Sequence, residues 1–216
     1  MIHVFLILPA MARKTKEAAA ATRLQLLDAA ERLFSEQGVS HTSLHDIALA
    51  AGLTRGAIYW HFENKGELLK AMWERVVLPI RETLCTPAPT NPALLEEAIQ
   101  RKMCWLSEHI QDDPRIFSLM NILMMRCEFF TEETRSVRQF FLDEREIAFR
   151  HLQDDLEAAV ATGLLAPGTD TRLAAVGLFG LVDGICFHWL VNPEAFCIRS
   201  VTRSSVEAYL SGLKCR

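Results

Sequence analysis

Helix start and stop signals crowd into the stretch from Gly38 to Glu67, and they leave little freedom in how it folds. Gly38 follows a run with Leu26, Leu27, Ala30, Leu33 and Phe34 on one helical face, so a first helix is expected from about Thr22 to Gln37 with a left-handed glycine as its stop. Ser43, with Asp46 three residues on, has the form of a capping box and starts a second helix that ends near Ala51. The tripeptide "AGL" (51–53) is a tight turn, and Thr54 caps a third helix, "RGAIYWH". Asn64, with Glu67 reaching back, opens a fourth that runs to about Pro79. Helices of seven or eight residues do not persist alone in water. Two of them joined by a glycine turn must therefore pack on their neighbours, which is the helix-turn-helix arrangement.

The remainder reads as helix as well. β-branched residues are sparse, strand-like alternation is rare, and helical patterns cover about 93–111, 115–128, 131–162, 170–191 and 200–213. Three prolines within "CTPAPTNP" (85–92) mark a loop between a small N-terminal unit and a larger C-terminal one. The expected class is all-α: a small three-helix helix-turn-helix unit over 11–80, then a larger helical unit over 81–216. The first ten residues, "MIHVFLILPA", are too short to span a bilayer and lack the basic start of a secretory signal. They are expected to be a disordered extension, with Met11 an ordinary initiator. The apolar stretch at 173–191 is flanked or interrupted by Arg172, Asp183 and His188, so no membrane association is expected and the location is cytoplasmic.

The stretch "LTRGAIYWHFENK" (53–65) combines features that a core helix would not. Gly56 sits near a helix start, Tyr59, Trp60 and Phe62 fall within four positions, and Arg55, His61 and Lys65 bring basic side chains. Core packing alone accounts for Phe62. A helix start that must approach a DNA backbone closely accounts for Gly56, because a missing Cβ permits the approach. Arg55 can fork onto guanine O6 and N7. Thr54 and Tyr59 can donate hydroxyls to phosphates, and Lys65 adds charge to the free N–H groups at the next helix start. Ile47, Ala48, Leu53 and Ile58 supply the apolar underside.

Charge agrees in sign. Residues 1–80 hold nine Lys/Arg against eight Asp/Glu, the rest fourteen against nineteen, so a polyanion is better received by the N-terminal third. The six cysteines show no CxxC or zinc-finger spacing and read as reduced thiols of a cytoplasmic protein. The chain carries no GxSxG, HExxH or phosphate-cradling glycine loop, so no enzyme activity and no cofactor is expected. Two alternatives stay open: a metal or thiol enzyme, for which His41 and His45 are the nearest pair, and a redox-responsive DNA-binding regulator using Cys127. His41 precedes the Ser43 cap and so does not share a helical face with His45, and Cys127 lacks a resolving cysteine.

Residues 11–80, and above all "RKTKEAAAATRLQLLDAAERLFSEQGVSHTSLHDIALAAGLTRGAIYWHFENKGELL", resemble the DNA-binding domain of TetR/AcrR-type transcriptional repressors in the branch that controls multidrug efflux pumps. "LMMRCEF" (123–129) and "LVDGICFHWL" (181–190) are similar in style to the same branch. The resemblance implies DNA-contact roles for Ser43, Thr54, Arg55, Tyr59, Trp60, His61 and Lys65. It also implies a homodimer on a pseudopalindromic double-stranded operator and a helical sensor for a small effector. Arg13, Lys14 and Lys16, ahead of the first expected helix, resemble a basic arm for phosphates or the minor groove.

The C-terminal half is rich in soft apolar side chains: Met103, Trp105, Phe117, Met120, Met124, Met125, Phe129 and Phe130. Their spacing alone fits a core, but thioethers also adapt to varied ligand shapes. An apolar or cationic effector is expected among Met103, Phe117, Met120, Met124 and Phe179, oriented by Asp183 and, more weakly, Asn121. Gly177, Gly180 and Gly184 stripe one helix, each at a cost of about 1 kcal/mol against alanine. Such a stripe admits a second helix closely or leaves room for a ligand, and with the last helix it could build the four-helix dimer interface that the resemblance implies.

Overall fold

A computed structural model of the protein describes residues 8–89, 91–127 and 135–214. The chain enters through α1 (Leu8–Gln37), which closes at Gly38 with φ +85°. The helix begins well before the expected Thr22 and includes the last three residues of the supposed extension. Arg13 and Lys14 thus lie within a helix rather than on an arm ahead of one. The reason is propensity: "KEAAAATR" is made almost wholly of strong helix formers, and a helix already nucleated on its buried face propagates backward through them. Residues 1–7, where the rest of that extension falls, lie outside the described part.

The short helices lie where the caps put them, as α2 (Leu44–Ala50) and α3 (Arg55–His61). α4 (Lys65–Cys85) then passes through Pro79 instead of ending there. A proline removes one ladder bond and crowds the preceding turn, but Glu144 holds the helix on both sides of it. Its carboxylate accepts from Trp73 Nε1 at 3.3 Å and pairs with Arg81. Trp73 also meets Phe141 edge-on, the ring centres 5.1 Å apart.

The C-terminal half comprises α5 (Pro92–His109), α6 (Pro114–Asn121), α7 (Arg135–Ala161), α8 (Thr171–Val191) and α9 (Ile198–Leu213). The helix expected over 115–128 is broken: after α6 the chain makes a π turn, Ile122–Arg126. Arg126's carbonyl, released at the end of that turn, accepts the Val39 N–H at 3.1 Å. Phe129 and Phe130 lie outside the described residues. No strand occurs among those described, and the class is all-α with a helix-turn-helix at the front.

Three apolar clusters hold the helices together. The first joins Leu26, Phe34, Ile47, Ile58, Phe62 and Leu69 to Leu119, Ile122 and Val137 from beyond the loop. The second fills the space between α5, α7, α8 and α9, and the third surrounds Trp189. The loop after α4 is tied down by a buried ion pair: Asp155 accepts from Lys102 Nζ at 2.6 Å and from the Ala88 N–H at 3.0 Å.

α8 is apolar on nearly every side. It has the length and the mean hydropathy, 1.7, of a membrane-crossing helix, yet one side packs on α7 and α9. Its other side leaves Leu173, Val176, Phe187 and Val191 exposed. Gly177 is accounted for within the chain, since a Cβ there would lie 2.1 Å from Tyr209 Oη. Gly180 and Gly184 have no neighbour within 4 Å of where a Cβ would stand.

Candidate nucleic-acid interface and effector site

Each end of the helix-turn-helix is set by a cap. Ser43 Oγ accepts the Asp46 N–H at 3.1 Å, and Asp46 in return accepts from the Ser43 N–H and hydroxyl. Those two hydrogen bonds hold the Asp46 carboxyl below the usual aspartate range. Ser43's hydroxyl proton is engaged there, so a phosphate contact through it must first break the bond to Asp46. At the second cap Thr54 Oγ1 accepts the Ala57 N–H at 3.3 Å and keeps its own proton to donate. Between the caps Gly52, at φ +70°, makes the turn.

α3 buries only Ile58 and turns its other face outward. Trp60 is 74% exposed and Tyr59 47%, so neither is a core aromatic. Arg55 lies over the Tyr59 ring at 5.6 Å, which holds its guanidinium on the outer surface. Gly56 is exposed, and a Cβ there would meet nothing nearer than Thr54 Oγ1 at 3.9 Å. His61 is pushed down from its ordinary value by burial and by Arg23, so near neutrality it presents hydrogen bonds rather than charge. Lys65 is half-buried and its ammonium donates to the Val39 carbonyl at 3.0 Å. It brings charge to the start of α4 while bracing the turn after α1.

Six of the seven effector candidates fall into two groups. Phe179 and Asp183 stand together on α8: Phe179 stacks obliquely on Phe149, ring centres 4.5 Å apart, and Asp183 pairs with Arg145 of α7. Met103 is buried in the same cluster as Phe179. Phe117, Met120 and Met124 pack instead around Trp189. Ten residues of helix separate Phe179 from Trp189, about 15 Å, and this distance divides the two groups. Phe117 lines an open cleft of about 590 Å³ with Ile110, Gln111, Pro114, Trp189 and Pro193. Asn121, half-buried, is the last residue of α6 before the π turn.

Residues 26–72 match the family described as bacterial regulatory proteins, tetR family, and residues 94–215 match the C-terminal region of MAATS-type transcriptional repressors. The chain belongs to the TetR family. It is 34% identical over 203 residues to the HTH-type transcriptional regulator AcrR of Shigella flexneri, covering 93% of each chain. Its fold matches NalD, the secondary repressor of the MexAB-OprM multidrug efflux pump in Pseudomonas aeruginosa, with a TM-score of 0.79 and 33% identity over 92% of this chain and 98% of that one. It also matches SmeT in complex with triclosan, with a TM-score of 0.72 and 33% identity over 89% and 91%. SmeT is the repressor of the Stenotrophomonas maltophilia multidrug efflux pump SmeDEF.

For this TetR-family regulator the structure adds residues that periodicity does not reveal. Arg145 and Phe149, four apart on α7, face Phe179 and Asp183, four apart on α8. Equal spacing on two helices is a signal, but it becomes legible only once the helices are known to be neighbours. Ser35 and Ser118, bonded at 3.1 Å, join α1 to α6 beside the Val39–Arg126 bond. Cys127 is half-buried against the first cluster. Burial pushes the Cys186 thiol up to about 12 and raises Cys104 as well, which makes both poor nucleophiles. Among the described residues no three His, Cys, Asp or Glu side chains converge as metal ligands do.

Proposed function

We propose that the protein is a ligand-responsive repressor that binds a pseudopalindromic operator as a homodimer, controls a multidrug efflux pump, and leaves DNA when an apolar or cationic drug-like compound binds its C-terminal helices. The observation that carries DNA recognition is Gly56. A glycine within a helix contributes less stability than alanine, no neighbour within the chain calls for it here, and close approach to a DNA backbone would account for it. Thr54, Arg55, Tyr59, Trp60 and His61 form the surface around it, with Ser43 and Lys65 at its rim and Arg13 and Lys14 on α1. The division into 11–80 and 81–216 assigns DNA to the first part and effector to the second. A cytoplasmic location follows from the role.

Dimerisation is supported by the uncovered apolar face of α8, where Gly180 and Gly184 leave room for a partner helix. Two recognition helices must then sit about 34–36 Å apart to reach successive major grooves. The efflux role is supported by the relatives NalD and SmeT, and SmeT's complex with triclosan supports a small aromatic effector. Coupling has a physical route: α6 touches α1 through Ser118–Ser35, the π turn touches the turn after α1 through Arg126–Val39, and Val76 of α4 packs on both the first and third clusters.

Selection of bound duplexes from a random pool should return a two-fold symmetric site. On that site Arg55→Ala should cost about 1–3 kcal/mol and relax preference at one base position. Anisotropy on operator and scrambled duplexes reads this, and equal loss on both would remove Arg55 from base readout. Effector and operator should weaken one another by the same factor, about five- to 150-fold. Calorimetry of an effector with and without operator tests it: identical affinities in the two titrations would sink induction as the mechanism.

A further inference from the structure

The contact between α7 and α8 contains a bound cation that the chain itself supplies. Arg145 pairs with Asp183, and its guanidinium carbon lies 5.4 Å from the centre of the Phe149 ring and 5.5 Å from that of Phe179. The two rings meet at 53° and leave the guanidinium in contact with both. Two aromatic faces and one carboxylate are what a receptor for a planar organic cation is made of. The pair is not sealed in the core, since the Arg145 side chain is 45% exposed and that of Asp183 34%. Arginine's long stem lets the guanidinium move into water without any helix moving.

We infer that Arg145 is a tethered stand-in for the effector, and that a planar aromatic cation binds by displacing it from Phe149, Phe179 and Asp183. This rests on the reading of the C-terminal helices as the effector domain and adds to it a competitor that the chain itself supplies. The displacement sets selectivity. Arg145 occupies the site for most of the time, so any ligand's apparent affinity falls by the fraction of molecules in which the arginine is out. A small ammonium ion gains too little from the rings to overcome that reduction. A planar cation with a larger aromatic surface gains more from them than the guanidinium does.

The test uses the full chain without DNA and two fluorescent probes of similar size, ethidium as planar cation and fluorescein as planar anion. Binding is read by anisotropy on the wild type, Arg145→Ala, Arg145→Gln, Asp183→Asn and the Arg145→Ala/Asp183→Asn double variant. Arg145→Ala and Arg145→Gln should both bind ethidium about tenfold more tightly than wild type, the size expected for losing a half-exposed ion pair and its ring contacts as competitor. Asp183→Asn should cost about tenfold in the Arg145→Ala background, and less in wild type, where it also loosens the competing arginine. The glutamine variant keeps most of the side-chain bulk, so it reads the effect even if alanine disturbs the packing of α7 on α8. Ethidium affinity that is unchanged or lower without Arg145, or absent in every variant, overturns the inference. So does an asparagine at 183 that leaves ethidium binding intact in the Arg145→Ala background. Fluorescein binding that is present in wild type and lost with Arg145 would make the arginine an anchor for anions instead. Operator binding by the wild-type chain is measured separately, so failure of the repressor reading and failure of this one are told apart.

Discussion

Replacing Gly56 with leucine should stabilise the free protein while removing operator recognition. The side chain enters open space, with only Thr54 Oγ1 3.9 Å from its Cβ, and replaces a poor helix former by a good one. Thermal unfolding should therefore move upward, with a gain of up to about 1 kcal/mol. On DNA the same atoms hold α3 away from the groove floor, and with the helix displaced the base contacts of Arg55 and its neighbours are lost together. Affinity for operator should fall toward the non-specific level, about a thousandfold or more. Binding to a scrambled duplex, which depends on charge at longer range, should change little. Alanine at 56 should give the same pair of effects at smaller size. Anisotropy titrations beside a melting curve check both signs, and a leucine variant that still distinguishes operator from scrambled DNA would show that Gly56 does not approach the duplex.

The largest effect on stability should come from Asp155→Ala. That carboxylate has a side-chain exposure of 4% and joins three segments, through Lys102 of α5, its own α7 and the Ala88 N–H of the loop. Its removal leaves Lys102, 10% exposed, as an uncompensated charge and frees the loop end. Such a loss costs about 3–5 kcal/mol, which lowers the melting temperature of a chain this long by roughly 6–20 °C. Replacing both partners by apolar residues, Asp155→Leu with Lys102→Met, should recover most of the loss, because no charge is then stranded. If the single variant melted within a degree of wild type, the pair would be solvated rather than buried.

The helix-turn-helix was legible in the sequence to the residue, because capping is local chemistry. Ser43 with Asp46, Thr54 with Ala57 and Asn64 with Glu67 each form within four positions. Exposure of Trp60 is legible only from the company of caps, turn glycine and flanking cations, since Tyr59 and Trp60 by themselves fit a core equally well. What failed was non-local. The continuation of α4 past Pro79 depends on Glu144, more than sixty residues away, and the π turn replaced a helix whose apolar periodicity gave no warning. Composition alone points to the effector candidates. Met120 of α6, Met124 of the π turn and the Phe179–Asp183 pair of α8 are equivalent as sequence, and only the packing of α6 and the π turn near Trp189 and of α7 near Phe179 separates them.

The first apolar cluster draws Leu119, Ile122 and Val137 into the core of α1 to α4. For anyone grafting parts between regulators, the consequence is that the proposed seam at residue 80 would be a seam in function and not in matter. A transplant cut there carries away the helices that read DNA but leaves behind three of the side chains that fill their interior. A working chimaera must bring the lower ends of α6 and α7 along as cargo, or find a host whose own residues at those places have the same shape.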